Sequence, residues 1–294
     1  MVQSSPPEAT TTAKEPDSTM AITQPIELTD NGRDLQTQYR DRGVVHVPQV
    51  IPFEEVVHIR EVFTNQVEKD TSMGHNDNVA ADDILARYPR FVHPHRHPDT
   101  AAGAIARHLM TDQRVLSIVN QLIGPANAAQ SMFYFKPPTA RGQALHQDNV
   151  FLQADPETCI AVWIAMDETD GDNGGLLVIP GSHTEPLICH VDADPTESFS
   201  AKTIPLPPGM KERAVQTRMR PGDALFFHGS LVHGSKGNVS DRFRRSLIFH
   251  YVPETSKEMA KFYMPLLNSN GEEVWIKASP GGGPCGEGFA SEGH

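Results

Sequence analysis

From Ala129 onward the chain is written as short alternating or apolar runs set between Gly, Pro, Asn and Asp: SMFYFKP, QALHQD, CIAVWIAMD, GLLVIPG, AVQTRM, DALFFHG and RRSLIFHYVP. Side chains alternate between the two faces of a strand, so runs of this length and period read as strands of an antiparallel sandwich or barrel. Seven or eight of them suffice for a jelly roll. The preceding third is helical in pattern. LTDNGRDLQTQYRDRG offers Asp30 or Asn31 as an N-cap and Gly43 as a stop, and IPFEEVVHIREVFTNQVEKD places Pro52 near a helix start ahead of apolar Val56, Ile59, Val62 and Phe63. TAAGAIARHLMTDQRVLSIVNQLIG closes at Gly124 with a break near Asp112, and GVVHVPQV predicts a strand between the first two helices. Helices followed by strands make an α+β chain whose β half is the working part.

Composition narrows the function. A net charge of −12 opposes the potential that phosphate backbones require, so no nucleic-acid partner is expected. No run approaches the roughly 18 apolar residues of a membrane span, so no membrane partner is expected either. Cys159, Cys189 and Cys285 are an odd set without CxxC spacing, which suggests neither a disulfide framework nor a zinc ribbon and fits a reducing compartment. The first residues lack the apolar core of a signal peptide, Glu8, Glu15 and Asp17 disfavour a transit peptide, and SEGH is not a peroxisomal ending, which leaves a cytoplasmic protein as the expectation. Residues 1–24 read as a disordered tail, 25–278 as one domain, and 279–294 as a Gly-rich tail. Oligomeric state has no signature in the sequence.

The chemistry begins in ALHQDNVF, where residues two apart on a strand send His146 and Asp148 to one face and Gln147 to the other. For an isolated HxD, a structural His–Asp hydrogen bond is the commoner reading. A third ligand stands in ALFFHGSLVHGSKGN, where His233 closes an apolar stretch as a strand hands over to a loop at the mouth of a barrel. Two imidazoles and one carboxylate leave three metal positions open, as in non-haem Fe(II) oxygenases, whereas zinc hydrolases keep one. His228 is a rival ligand, but its place before Gly229 points to a core or interface role. Arg244, eleven residues after His233, shares a strand face with Ser246, Ile248 and His250. A guanidinium buried there would grip a carboxylate through two parallel hydrogen bonds; the bland alternative is a solvated arginine beside Arg242 and Arg245.

Together, HQD at 146–148, NGGLLVIPGSH at 173–183, RPGDALFFHGSLVHGS at 220–235 and Arg244 resemble the phytanoyl-CoA dioxygenase (PhyH) family of Fe(II)/2-oxoglutarate-dependent oxygenases, over about Ile26 to Val252. The resemblance implies a double-stranded β-helix (jelly roll, cupin-like) with the N-terminal helices packed outside. It implies Fe(II) on His146, Asp148 and His233, and 2-oxoglutarate whose far carboxylate meets Arg244 and Ser235. Trp163 and Met132 correspond to residues of the family's cofactor pocket, and Gln143 stands where a polar cofactor contact would be useful. O₂ is then a co-substrate, ascorbate a stimulant, and succinate and CO₂ are released as a small-molecule substrate is hydroxylated. Asp148 itself favours oxygenation over halogenation, since family-like halogenases generally replace that carboxylate. In CIAVWIAMD the pattern agrees: Ile160, Val162, Ile164 and Met166 form a core-like face, while Ala161 and Ala165 leave space around Trp163 on the other.

Three alternatives stay open at this point. The bases of KERAVQTRMR with Lys236, Arg242 and Arg245 could form a phosphate-binding patch for an acyl-CoA 2-hydroxylase. A non-catalytic ligand-binding jelly roll would keep the fold without the chemistry, and a cupin-like metal enzyme would need no 2-oxoglutarate. His93, His95 and His97 alternate between prolines, which reads as an exposed loop, a lid rather than a second metal site.

Overall fold

Two antiparallel sheets lie face to face, with the helices covering the outer side of the larger one. The computed structural model describes residues 34–75 and 79–281; the expected tail 1–24, the caps Asp30 and Asn31, and residues 282–294 of the Gly-rich tail lie outside them. We label the strands that build the site β1 (Val44–Val47), β2 (Arg90–Val92), β3 (Ala126–Lys136), β4 (Gln143–His146), β5 (Ile160–Ala165), β6 (Leu176–Val178), β7 (Val215–Gln216), β8 (Ala224–His228), β9 (His233–Ser235) and β10 (Arg244–Pro253). The larger sheet runs β1-β8-β5-β10-β3, with β2 beside β3, and the smaller runs β7-β6-β9-β4. This is the jelly roll expected from the sequence.

The four longest helices are α1 (Leu35–Arg42), α2 (Phe53–Lys69), α3 (Ala101–Met110) and α4 (Gln113–Ile123). Asp34 caps α1 by accepting from the Thr37 N–H, and Gly43 ends it at φ 72, a left-handed geometry that glycine adopts without strain. Asp112 caps α4, so the long helical pattern does break there. In α2 the buried residues Val56, Ile59, Phe63 and Val67 recur at helical spacing. Phe63 stacks on Phe133 of β3 with ring centroids 4.1 Å apart. Full burial of such side chains contributes roughly 1.5–3 kcal/mol each, which ties helix to sheet.

The alternation in β5 divides two cores. Ile160, Val162 and Ile164 pack with the helices, whereas Ala161, Trp163 and Ala165 join Met132, Phe227, Ile248, Leu176 and Val178 between the sheets. Ile248 of β10 pairs with Met132 on one side and Trp163 on the other, so the three line one row of the inner face.

Four expectations need correction. Asp148 is not on a strand: β4 ends at His146, and Asp148, at φ −60 and ψ −36, caps a helical turn, Asn149–Leu152. His233 opens a strand rather than ending one. The segment His93–His97 is the expected exposed loop only at Arg96 and His97: His93 and His95 are buried, and the His95 Nδ1 lies 2.7 Å from Ser131 Oγ. Cys189 is disulfide-bonded, where a chain without disulfides was expected, while Cys159 is a buried free thiol. No helix among the described residues is long and apolar enough to cross a membrane.

Candidate active site

His146 and His233 face each other across the pairing of β4 with β9, their ring centroids 4.2 Å apart. The helical turn after β4 brings Asp148 to the same point: its Oδ1 lies 3.6 Å from His146 Nε2 and 3.5 Å from His233 Nε2. All three are buried, and among the described residues they are the one group of His, Cys, Asp or Glu whose ligand atoms converge in this way. The Nδ1 of His146 is 2.8 Å from the Ala144 carbonyl, and that of His233 is 2.9 Å from the Leu231 carbonyl. A carbonyl only accepts, so each Nδ1 carries the hydrogen and each Nε2 turns a lone pair toward the common centre. Two imidazoles and a carboxylate converging in this way would hold a divalent ion such as Fe(II).

Gln147, between the ligands, holds the turn in place. It is fully buried, donates to the Ser230 carbonyl at 2.9 Å and accepts from the Ile188 N–H at 2.9 Å. His250 completes the support: its Nε2 lies 3.1 Å from Asp148 Oδ2.

The pocket beside this triad, partly open to solvent, is lined by all eight residues singled out from the sequence: Met132, Gln143, His146, Asp148, Trp163, His233, Ser235 and Arg244. Arg244 is 3% exposed and donates to Gly174 O at 3.1 Å and to Ser246 Oγ at 3.0 Å, both neutral acceptors, with its guanidinium 5.7 Å from the Trp163 ring. Burial lowers its pKa to about 10, so it stays cationic at neutral pH. A buried cation with only neutral partners suits an anionic ligand.

Sequence reasoning missed Lys136 and Tyr134. They continue the inward face of β3 from Met132 at period two, which is the signal that could have found them. Lys136 is buried and pairs across the sheet with Arg244. Burial, and then Arg244, pushes its pKa well below the usual lysine range. Gly174, at φ 73, lies against this pair: a Cβ there would stand 2.7 Å from Lys136 Cδ. That explains one glycine of the NGG motif.

His228 takes no part. It sits outside the cavity near Tyr39 and His183, its Nδ1 accepts from the Ser230 N–H, and burial lowers its pKa to about 4. Two of the seven bases expected to offer a phosphate patch are paired with carboxylates, while Lys211, Arg218, Arg220 and Lys236 are exposed. Arg242 Nη2 lies 2.7 Å from Asp170 and Arg245 Nε 2.8 Å from Asp167, while Arg213 donates to the Pro180 carbonyl.

Residues 39–246 match the family model for phytanoyl-CoA dioxygenase (PhyH). The chain belongs to the phytanoyl-CoA dioxygenase family. A phytanoyl-CoA dioxygenase of Arabidopsis thaliana is 34% identical over 134 residues, 45% of this chain and 46% of that protein. A probable phytanoyl-CoA dioxygenase of Caenorhabditis elegans is 28% identical over 250 residues, 77% of this chain and 78% of the relative. For the two plant relatives, from Arabidopsis and from Oryza sativa subsp. japonica, the match spans about half of their length. Among solved structures, the epimerase SnoN in complex with Fe3+, alpha ketoglutarate and nogalamycin RO aligns with a TM-score of 0.62 at 22% identity, covering 76% of this chain and 84% of SnoN. That likeness supports the family's jelly-roll fold.

Proposed function

We propose that this protein is a non-haem Fe(II)- and 2-oxoglutarate-dependent dioxygenase that hydroxylates, or otherwise oxidises, an unactivated C–H bond of a small molecule, a natural product in preference to an acyl-CoA. One observation carries the reading: His146, Asp148 and His233 converge in the same buried cavity as the Arg244 guanidinium. A metal-binding jelly roll without 2-oxoglutarate would leave that buried cation unexplained. A purely structural His–Asp pair would not need a second imidazole 3.5 Å from the same carboxylate oxygen.

In this reading His146, Asp148 and His233 hold the ferrous ion, which when bound supplies the site with an oxidant made from O₂ as 2-oxoglutarate is converted to succinate and CO₂. Arg244 and the Ser235 hydroxyl take the far carboxylate, and the Trp163 face and Met132 pack along the co-substrate. Phe227, with its ring centroid 4.6 Å from that of His233, and Ile248 keep the cavity dry, which strengthens the electrostatic grip of Arg244. An open groove bordered by Leu145, Leu177 and Ser198 shares Gln143 and Ser235 with the cavity and offers a small substrate a way in. The pairing of Arg242 and Arg245 with carboxylates takes two of the seven bases away from a CoA phosphate site.

The test is anaerobic addition of Fe(II), ascorbate and 2-oxoglutarate to the full chain, followed by visible spectroscopy. A weak metal-to-ligand charge-transfer band is expected, and it is lost in Arg244→Ala and in His233→Ala. Folded, iron-loaded protein that shows neither the band nor succinate release in air removes the proposal.

A further inference from the structure

Lys136 and Arg244 are buried basic side chains placed directly opposite each other in the pairing of β3 with β10. Burial, and then the repulsion between two bases opposed across a sheet, hold the Lys136 pKa well below the usual lysine range. Arg244 donates to Gly174 O and Ser246 Oγ; Lys136 Nζ donates to Ser235 Oγ and to the Lys236 carbonyl, each at 2.7 Å. Among the described residues every one of these acceptors is neutral. An apolar residue at 136 would avoid the repulsion, so the lysine has a purpose that the fold alone does not require.

The hydrogen bonds at Ser235 show what that purpose is. A serine oxygen accepts through two lone pairs and donates one hydrogen. Both groups that reach Ser235 Oγ are donors: the Lys136 amino group at 2.7 Å and, more weakly, the Gln143 backbone N–H at 3.4 Å. The oxygen is thereby turned toward Lys136, and its own hydrogen is directed away, toward the cavity that Ser235 lines together with Arg244.

We propose that Lys136 is a positioning residue for the dicarboxylate co-substrate: by donating to Ser235 Oγ it aims the Ser235 hydroxyl at the far carboxylate held by Arg244. This rests on the 2-oxoglutarate reading above. Lys136 touches neither metal nor co-substrate in this scheme; it acts through Ser235. Gly174 belongs to the same device, since its lack of a side chain lets Lys136 Cδ and the Lys236 carbonyl approach to where a Cβ would stand 2.7 Å from each.

Calorimetric titration of the full chain loaded with Mn(II), which needs no turnover, tests the proposal. The ligands are 2-oxoglutarate and 2-oxobutyrate, a 2-oxo acid without the far carboxylate. Lys136→Met weakens 2-oxoglutarate binding by about 10- to 100-fold, the size expected for a charge-assisted hydrogen bond, and leaves 2-oxobutyrate within about twofold of wild type. Because Lys136 acts through Ser235, adding Ser235→Ala to Lys136→Met weakens 2-oxoglutarate by less than about threefold more. Should Lys136→Met fail to fold, Lys136→Gln is read by the same criteria. Equal weakening of both ligands would mark Lys136 as merely structural and overturn the proposal. So would undiminished 2-oxoglutarate binding in Lys136→Met, or effects of the two substitutions that multiply. Wild-type protein that takes up Mn(II) but no 2-oxoglutarate brings down the functional reading itself, a result distinct from any failure confined to Lys136.

Discussion

His250 Nε2 lies 3.1 Å from Asp148 Oδ2, while the other oxygen of the same carboxylate faces the Nε2 atoms of both His146 and His233. The two oxygens are thus divided between two tasks, one tied back to β10 and one presented to the metal position. Partners that orient a ligating side chain contribute about 10- to 100-fold to metal affinity. His250→Phe is expected to weaken Fe(II) or Mn(II) binding by that amount, and His250→Gln, which keeps a donor, by less. Competition with a chromophoric chelator measures this, and an unaltered dissociation constant in His250→Phe would show that Asp148 holds its orientation without help.

Gly174→Ala places a side chain where the backbone has φ 73 and where Lys136 Cδ and the Lys236 carbonyl leave no room. A non-glycine residue in such a left-handed conformation costs about 1–3 kcal/mol, and here the clash adds to it. Because Gly174 also accepts from Arg244 Nε at 3.1 Å, a shift of this loop disturbs the guanidinium. A lower thermal midpoint together with weaker 2-oxoglutarate binding is expected. A variant as stable as wild type would mean that the loop moves aside freely.

How much of this was legible before the structure depended on whether a residue's role is set by local period or by distant partners. Trp163 and Arg244 were readable because alternation along one strand assigns a face, and the faces came out as expected. The turn at Asp148 was not, since it depends on Gln147 bonding to Ser230 and Ile188, contacts between segments far apart in the chain. His93–His97 misled for the same reason: its prolines read as a surface loop, yet Ser131, Phe262 and Tyr263 close over it. Lys136 was hidden by the two prolines that follow it, which signal the end of a strand and drew attention away from its inward face.

Arg245 is a structural cation rather than part of a phosphate-binding patch. Its backbone N–H and Nε donate to Asp167 Oδ2 at 2.9 and 2.8 Å, its Nη2 donates to Oδ1 at 2.9 Å, and Arg60 of α2 meets the same Oδ1 at 3.1 Å. Asp167 therefore bolts α2 to the end of β10. These groups are partly exposed, so breaking the cluster costs about 1–3 kcal/mol, less than a fully buried pair would. Denaturant unfolding of Asp167→Asn and Arg245→Ala should both register that loss, and coenzyme A should leave the wild-type midpoint where it is. A clear stabilisation by coenzyme A that vanishes in Arg245→Ala would restore the acyl-CoA reading.

The buried histidines away from the metal position make stability fall on the acid side. Burial lowers the pKa of His95 to about 3, from an ordinary value of 6.5, and neighbouring cations push it the same way. The unfolded chain therefore takes up a proton near pH 6.5 that the folded chain refuses until near pH 3. Above pH 6.5 both states are neutral at this site and stability does not respond; below it the unfolded state binds more protons, so stability drops as pH falls through the interval. The slope for one such histidine approaches about 1.4 kcal/mol per pH unit. His95→Asn can keep a hydrogen bond to Ser131 while removing the titrating ring, so its stability should fall less steeply than wild type between pH 6.5 and the acid limit of the measurement. Urea unfolding at pH 7, 6 and 5 gives the comparison. Parallel curves for wild type and His95→Asn would show that His95 is protonated as readily in the folded chain as in the unfolded one, and that the 2.7 Å contact with Ser131 is not sealed from water.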